Sequence, residues 1–259
     1  EYVDGRLFTR TTGNNYDIIL IGLSNPSDLQ LNRLFTREFF KEASRRLNNG
    51  GILVITAPGS LTYLSEELSN LNGCILRTLK SVFKYIRAIP GETNLYMASD
   101  SHAVLSAGAD LMVKRLKERP LDLNLINDTY IQYKLDKKKL NWFLEGVNKK
   151  AGINKDFLPL GFFYSLCYWN SLFSPYLDGI FKILGEINLK RLFIMFCVAM
   201  AVSLLFYRRI RNLVFPFAIM STGFSGMVFQ LALIFAFQAI YGYVYYRIAF
   251  LITAFMAGL

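Results

Sequence analysis

Tyr16-Asp17-Ile18-Ile19-Leu20-Ile21-Gly22 and Ile52-Leu53-Val54-Ile55-Thr56 are the stretches whose reading decides the fold. Both are short, almost unbroken apolar runs rich in β-branched residues. That is the pattern of strands in a parallel sheet covered on both faces. Between them lies the turn-prone Ser24-Asn25-Pro26-Ser27-Asp28, and then Phe35, Phe39, Phe40, Ala43 and Leu47 at three- and four-residue spacing. This spacing predicts a helix with one apolar face, Thr36 standing where an N-cap belongs. Asn48-Asn49-Gly50-Gly51 ends it. Strand, helix and strand at this length make a right-handed β-α-β crossover.

Working outward, residues 66–79 read as a weaker helix. Two edge-region strands follow over 81–87 and 94–99, separated by Ile89-Pro90-Gly91-Glu92, and then a helix over 103–118 with Pro120 beyond its end. Residues 121–157 are polar and less regular, and Lys137, Lys138 and Lys139 read as a solvated face rather than a phosphate site. The fold class is therefore α/β over residues 1–120. A parallel sheet of this kind holds a nucleotide at the carboxyl ends of its strands, yet the Gly-rich turn that would cradle one is absent. Gly50-Gly51 precedes a strand and does not open a helix, so it is a plain turn.

Composition divides the chain unequally. Of 259 residues, 53% are hydrophobic, and the net charge is +10. Mean hydropathy is +0.29. Glu186 is the last acid, and six basic residues (Lys190, Arg191, Arg208, Arg209, Arg211, Arg247) flank or interrupt the apolar runs after it. Excess charge beside apolar segments excludes a disordered chain and gives no case for a nucleic-acid partner. One histidine, His102, and three scattered cysteines, Cys74, Cys167 and Cys197, leave no expectation of a bound metal or a disulfide framework. Glu1 in place of Met, and an apolar run still open at Leu259, are read as cuts in a longer protein.

The residues also carry a resemblance. Val3-Asp4-Gly5-Arg6-Leu7-Phe8, Tyr16 to Ile21, Leu34-Phe35-Thr36-Arg37-Glu38-Phe39-Phe40 and Leu47 to Ile55 follow, in order and spacing, patterns of the spermidine synthase superfamily. The likeness extends over roughly the first hundred residues and resembles the C-terminal half of that domain. It implies a Rossmann-like, methyltransferase-type fold. It further implies decarboxylated S-adenosylmethionine or S-adenosylmethionine as a co-substrate, none bound tightly, and an aminopropyl group moved onto a polyamine or other amine. Asp4, with Gly5, aligns with the acid that accepts a hydrogen bond from the adenine amino group; capping of the following helix is the other reading of Asp4.

The departures from that pattern bear on chemistry. Two family acids orient and deprotonate the attacking amine, which must lose a proton to become nucleophilic. Gly22 and Asn25 stand in their places. Neither takes a proton, so no catalytic residue is assigned. Asp28 and Glu92 remain as geometric substitutes.

The region 189–259 reads as transmembrane helices over about 189–207, 213–240 and 243–259, behind a connecting segment at 121–188. Tyr241, Tyr243, Tyr245 and Tyr246 cluster at the break like an aromatic belt, with Arg247 snorkelling beside them. Ala218, Thr222 and Gly226 form a small-residue stripe suited to helix pairing and a helix-mediated oligomer. Gln230 and Gln238 are the deepest polar groups, fit for interhelical bonds or a polar pathway. Residues 162–175, rich in aromatics, are either an interfacial helix or a docking segment. Asn154-Lys155-Asp156-Phe157 through Trp169, and parts of 222–242, resemble bacterial multi-span proteins fused to a spermidine-synthase-like domain. That resemblance implies an integral protein of the bacterial inner membrane, a lipid-bilayer partner, with its soluble part in the cytoplasm. Two functions stand open: a membrane-bound aminopropyltransferase-like protein, or an inactive membrane sensor, transport-related protein or scaffold retaining the Rossmann domain.

Overall fold

The computed structural model describes residues 4–258 except 24, 120–122, 124, 174–178, 180–182, 184–189, 192, 196, 199–200, 202–213 and 242–244. The chain forms two compact units, Glu1–Trp169 and Asn170–Leu259.

The first unit is built on a sheet of order β1-β2-β4-β3, formed by β1 (Tyr16–Ile21), β2 (Leu47–Pro58), β3 (Tyr85–Ile89) and β4 (Thr93–Ser99). β1 and β2 are parallel, as their apolar runs predict. β4 lies between β2 and β3, antiparallel to both, so the sheet is mixed. The expectation of two edge-region strands is thus corrected: β3 is an edge, and β4 is interior. The turn over residues 90–92 is too short for a crossover, so β3 and β4 form an antiparallel hairpin, and β4 is the strand of it that bonds to β2. Tyr96 and Ala98 of β4 are accordingly fully buried.

Helix α1 (Gly5–Thr11) precedes β1, and α2 (Leu29–Asn32) and α3 (Arg37–Ser44) lie between β1 and β2. Thr36 caps α3 by accepting from the Phe39 amide at 3.4 Å. Phe35, Phe39, Phe40 and Ala43 all enter the core. Leu47, however, belongs to β2 and not to the helix. Between the paired positions, β1 advances from Tyr16 to Ile18 while β2 advances from Leu47 to Ile52. Asn48-Asn49-Gly50-Gly51 is therefore a bulge within the strand, and Gly50, at φ 81°, supplies its left-handed residue. Burial alternates along β2 from Gly51 onward: Leu53, Ile55 and Ala57 are fully buried, their neighbours partly so.

Helix α4 (Glu66–Lys80) covers the sheet through Leu71, Ile75 and Leu79. The helix expected over 103–118 is two, α5 (Ala103–Ser106) and α6 (Ala109–Lys117). Half-buried Arg87 donates to the carbonyls of Val104 and Ala107, groups that an unbroken helix would use itself. The stretch read as irregular holds α7 (Asp128–Lys134) and α8 (Lys137–Gly146). Asn127 and Asp136 cap them, accepting from Tyr130 and Lys138 amides at 2.8 and 2.9 Å. Their polar composition hid these helices, but Leu140, Phe143 and Val147 already have helical spacing, and all three pack on the core. Lys137 and Lys138 are exposed in the first turn of α8, and Lys139 lies over the Tyr133 ring. Helix α9 (Leu160–Phe173) begins in the first unit and continues past Trp169, where that unit ends.

In the second unit, α10 (Val214–Tyr241) and α11 (Tyr245–Ala257) are described. Within α10, Ala218–Phe237 is 20 residues long with mean hydropathy 1.7, the one helix among the described residues long and apolar enough to cross a membrane. At 13 residues α11 reaches about 20 Å, short of a hydrocarbon core of roughly 30 Å. The expected span over 189–207 falls largely outside the described residues, as do the break at 242–244 and the side chains of Gln238 and Arg247. Of the three expected spans, the described residues therefore support one. The Thr222 hydroxyl on the small-residue stripe donates back to the Ala218 carbonyl at 2.8 Å.

Candidate functional site

The carboxyl ends of β1 and β2 lie side by side because the strands are parallel, and loops leaving such ends are where α/β sheets hold ligands. The Thr56 hydroxyl donates to the Leu23 carbonyl at 3.0 Å, fixing the loop after β1 against β2. Beyond β2, buried Asn72 of α4 accepts from Asn94 Nδ2 at 3.0 Å and donates to the Pro58 carbonyl at 3.0 Å. This network sets where β2 ends.

Gly22 and Asn25, the positions where the resemblance leads one to expect acids, have opposite surroundings. Gly22 is exposed, with open space where a side chain would begin. Asn25 is 9% exposed, and its Oδ1 accepts from the fully buried Ser165 hydroxyl of α9 at 2.8 Å. Asn25 Nδ2 is buried without an acceptor among the described residues. Of the proposed substitute bases, exposed Asp28 caps α2 by accepting from the Leu31 amide at 2.8 Å. Glu92 is exposed in the β3–β4 turn.

Asp4 does cap α1: Oδ1 accepts from the Arg6 and Leu7 amides at 3.1 and 3.0 Å. Its Oδ2 pairs with buried Arg33. A carboxylate has lone pairs for more than these partners, so an adenine amino group would have to share Asp4 with Arg33. Gly5 opens α1 and lines a cleft of about 310 Å³ beside β1, with Phe8, Tyr16, Ile18 and Leu20 among its walls. Ile18 and Leu20 are 64% and 67% exposed.

Sequence reasoning missed the charge cluster that ties this region together. Arg6, 1% exposed, donates to both oxygens of Asp156 at 2.8 and 2.7 Å and to Glu42 at 3.2 and 3.3 Å. Asp156 also accepts from the Thr36 hydroxyl at 2.7 Å, and Arg10 reaches Glu42 at 2.8 Å. Burial alone would lower the Arg6 pKa, but bonds to Asp156 and Glu42 outweigh it and raise it. Burial likewise opposes the Glu42 charge, and Arg10 and Arg6 overcome it, leaving the pKa lowered. The only signal in the sequence was Asp156 within Asn154-Lys155-Asp156-Phe157, whose partners are more than a hundred residues away. Asn154 donates to Asn32 Oδ1 at 2.9 Å and to the Phe35 carbonyl at 3.0 Å.

Cys74 is buried, and burial pushes its thiol up to about 12, which makes it inert at neutral pH. Exposed His102 meets the Tyr85 ring edge-on at 5.3 Å. Among the described residues no group of three or more His, Cys, Asp or Glu could hold a metal.

A mixed sheet with parallel β1 and β2, an antiparallel interior strand and helices packed on it is a Rossmann-like α/β domain. Residues 2–103 match the spermine/spermidine synthase domain. The polyamine aminopropyltransferase of Nitrosomonas europaea is 32% identical over 126 residues, covering 47% of this chain and 38% of that protein. That of Sulfurisphaera tokodaii is 30% identical over 124 residues, covering 45% and 39%. That of Prochlorococcus marinus strain MIT 9301 is 39% identical over 75 residues, covering 29% and 24%. A probable spermidine synthase from Corynebacterium glutamicum, known by crystal structure, shares 17% identity at a TM-score of 0.34, with 53% of this chain and 51% of that one covered. Over residues 2–103 the chain is similar to the spermidine synthase superfamily. It spans about two-fifths or less of the length of these curated relatives.

Proposed function

We propose that the chain is part of a membrane-attached, spermidine-synthase-like protein that binds an S-adenosylmethionine-type nucleotide beside β1 without efficient aminopropyl transfer. The observation that carries this reading is the Asn25–Ser165 bond. Where the superfamily resemblance puts a proton acceptor, the chain has a buried amide sealed by a hydroxyl. The second position is an open glycine. An ammonium ion meeting these two groups would find neither a base nor a countercharge. The cleft lined by Gly5, Tyr16 and Leu20 supports nucleotide binding, since its apolar walls suit an adenine ring. Membrane attachment is supported by Ala218–Phe237, an uncharged helix with many exposed large apolar side chains, Ile219, Phe224 and Phe229 among them.

Calorimetry on the full-length protein in detergent tests this, using decarboxylated S-adenosylmethionine and putrescine separately. The expected result is nucleotide binding with little putrescine binding and no product. Turnover at a rate ordinary for such enzymes would overturn the reading. A second reading, a slow transferase using Asp28 as base, has in its favour an exposed carboxylate three residues after Asn25. It requires Asp28→Asn to abolish any product formed.

A further inference from the structure

The face of the sheet away from the core is only partly covered. Strand alternation puts Tyr96 and Ala98 of β4 in the core, so Met97 between them faces the other way, as does Ile89 of β3. Helices α6 and α7 stand over this side, yet no residue of either is buried. Their apolar positions have helical spacing, Met112 with Leu116 on α6 and Ile131 with Leu135 on α7. All four line, with Ile89 and Met97, a cleft of about 480 Å³ between the helices and the strands. Two apolar stripes thus face a sheet without closing on it, and the room left is of the size that ligand sites have, roughly 300–1,000 Å³.

The rim of the cleft is basic. Arg115 and Arg119, one turn apart on α6, and Lys134 of α7 line it, and no acid does. Neighbouring acids are committed elsewhere: Glu118 pairs with Lys114 at 3.9 Å, and Asp128 with Lys117 at 2.6 Å. Those lysines do not line the cleft, whereas Arg115, Arg119 and Lys134 have no ion pair among the described residues. The Lys134 ammonium lies over the Tyr130 ring at 5.6 Å, and it is 3.2 Å from where a Cβ on Gly91 would stand, against the β3–β4 turn. A solvated charged face mixes both signs. Cations from two helices gathered round an apolar floor do not.

We propose that this cleft binds an amphipathic anion: a single aliphatic chain ending in a phosphate or carboxylate. The chain occupies the floor formed by Met97, Met112, Leu116 and Ile131, whose two flexible thioethers adapt to its shape. The head group is taken by the guanidinium forks of Arg115 and Arg119, with the Lys134 ammonium as a further charge. Other ligands leave part of the cleft unused: inorganic phosphate needs no apolar floor, a neutral hydrocarbon needs no cations, and a polyamine is repelled. The concave shape takes one chain, not the surface of a bilayer. The site shares no residue with the cleft beside β1, so its failure would leave the nucleotide reading untouched.

Octyl phosphate, below its micelle-forming concentration, is the probe, and calorimetry follows its binding to the full chain in nonionic detergent. Uptake by the detergent is common to every variant, so differences between variants report the site. The wild type should bind octyl phosphate at least about tenfold more tightly than inorganic phosphate or octanol. Arg115→Gln with Arg119→Gln should weaken octyl phosphate at least about tenfold, with the urea midpoint unchanged because both side chains are exposed. Met112→Trp, which fills the cleft and keeps the cations, should weaken it likewise. Equal binding by the wild type and both variants would show uptake by detergent alone. Equal affinity for inorganic and octyl phosphate would reduce the cleft to a surface charge patch. A response to phosphatidylglycerol in mixed micelles without one to octyl phosphate would make the rim a bilayer contact. Each of these results overturns the proposal.

Discussion

Asp156→Ala is the perturbation that most directly tests how the first unit is held together. The wild-type carboxylate receives two Arg6 bonds at 2.8 and 2.7 Å and the Thr36 hydroxyl at 2.7 Å. Arg6 is 1% exposed and Asp156 16% exposed, so water screens the pair little. Removing one partner of a buried pair costs about 3–5 kcal/mol, because the remaining charge is stranded. Here Glu42 stays on the other edge of the guanidinium at 3.2 Å and retains part of the compensation. The expected loss is therefore near the lower bound, about 3 kcal/mol, a large share of the roughly 5–15 kcal/mol of an ordinary domain. Urea titration in detergent, followed by the fluorescence of Trp142 and Trp169, would show an earlier midpoint at unchanged slope. Arg6→Met together with Asp156→Leu should recover much of the loss, since an apolar pair strands no charge. A loss under about 1 kcal/mol for Asp156→Ala would refute the reasoning, for the segment around Asn154 would then be held by something other than this clasp.

Gly22→Asp should leave the urea midpoint nearly unchanged, because open space surrounds Gly22, whereas Asn25→Asp should lower stability by about 1–3 kcal/mol by burying a carboxylate with a single donor. If only a base is missing, the double variant should gain product formation over the parent in a decarboxylated S-adenosylmethionine assay. Glu42 has a folded pKa below its unfolded value of about 4.3, so its contribution is complete above that value and is lost as pH falls through the lower one. Stability should therefore fall as pH drops below about 4.3, and Glu42→Gln should flatten that slope while lowering stability at neutral pH. Cys74, with its thiol pushed up to about 12, should resist alkylation at about pH 8 in the folded protein and react once urea unfolds it. Arg33→Met should remove the Asp4 ion pair; if Asp4 binds adenine, nucleotide affinity should rise or hold, whereas Asp4→Ala should weaken it several-fold.

What the sequence determined by itself is local or periodic. The apolar runs of β1 and β2, the Thr36 cap, the Phe35–Phe39–Phe40 face and the long apolar stretch of α10 each depend on neighbours a few residues apart. Backbone geometry converts such spacing directly into structure. Order and spacing also carried the likeness of residues 2–103 to the spermine/spermidine synthase domain. Three features were settled only in the folded chain. β4 is interior because one of its edges pairs with β3 in a hairpin and the other with distant β2. The helix expected over 103–118 is broken because the Arg87 side chain claims two of its carbonyls. Asp156, Arg6 and Glu42 meet across separations of 150 and 36 residues. The state of the site belongs with these. That Gly22 is open while Asn25 is sealed depends on Ser165, 140 residues further on, reaching one side of the loop after β1. Spacing along a chain encodes its nearest contacts, but which distant hydroxyl fills a strand end is decided by packing of the whole unit.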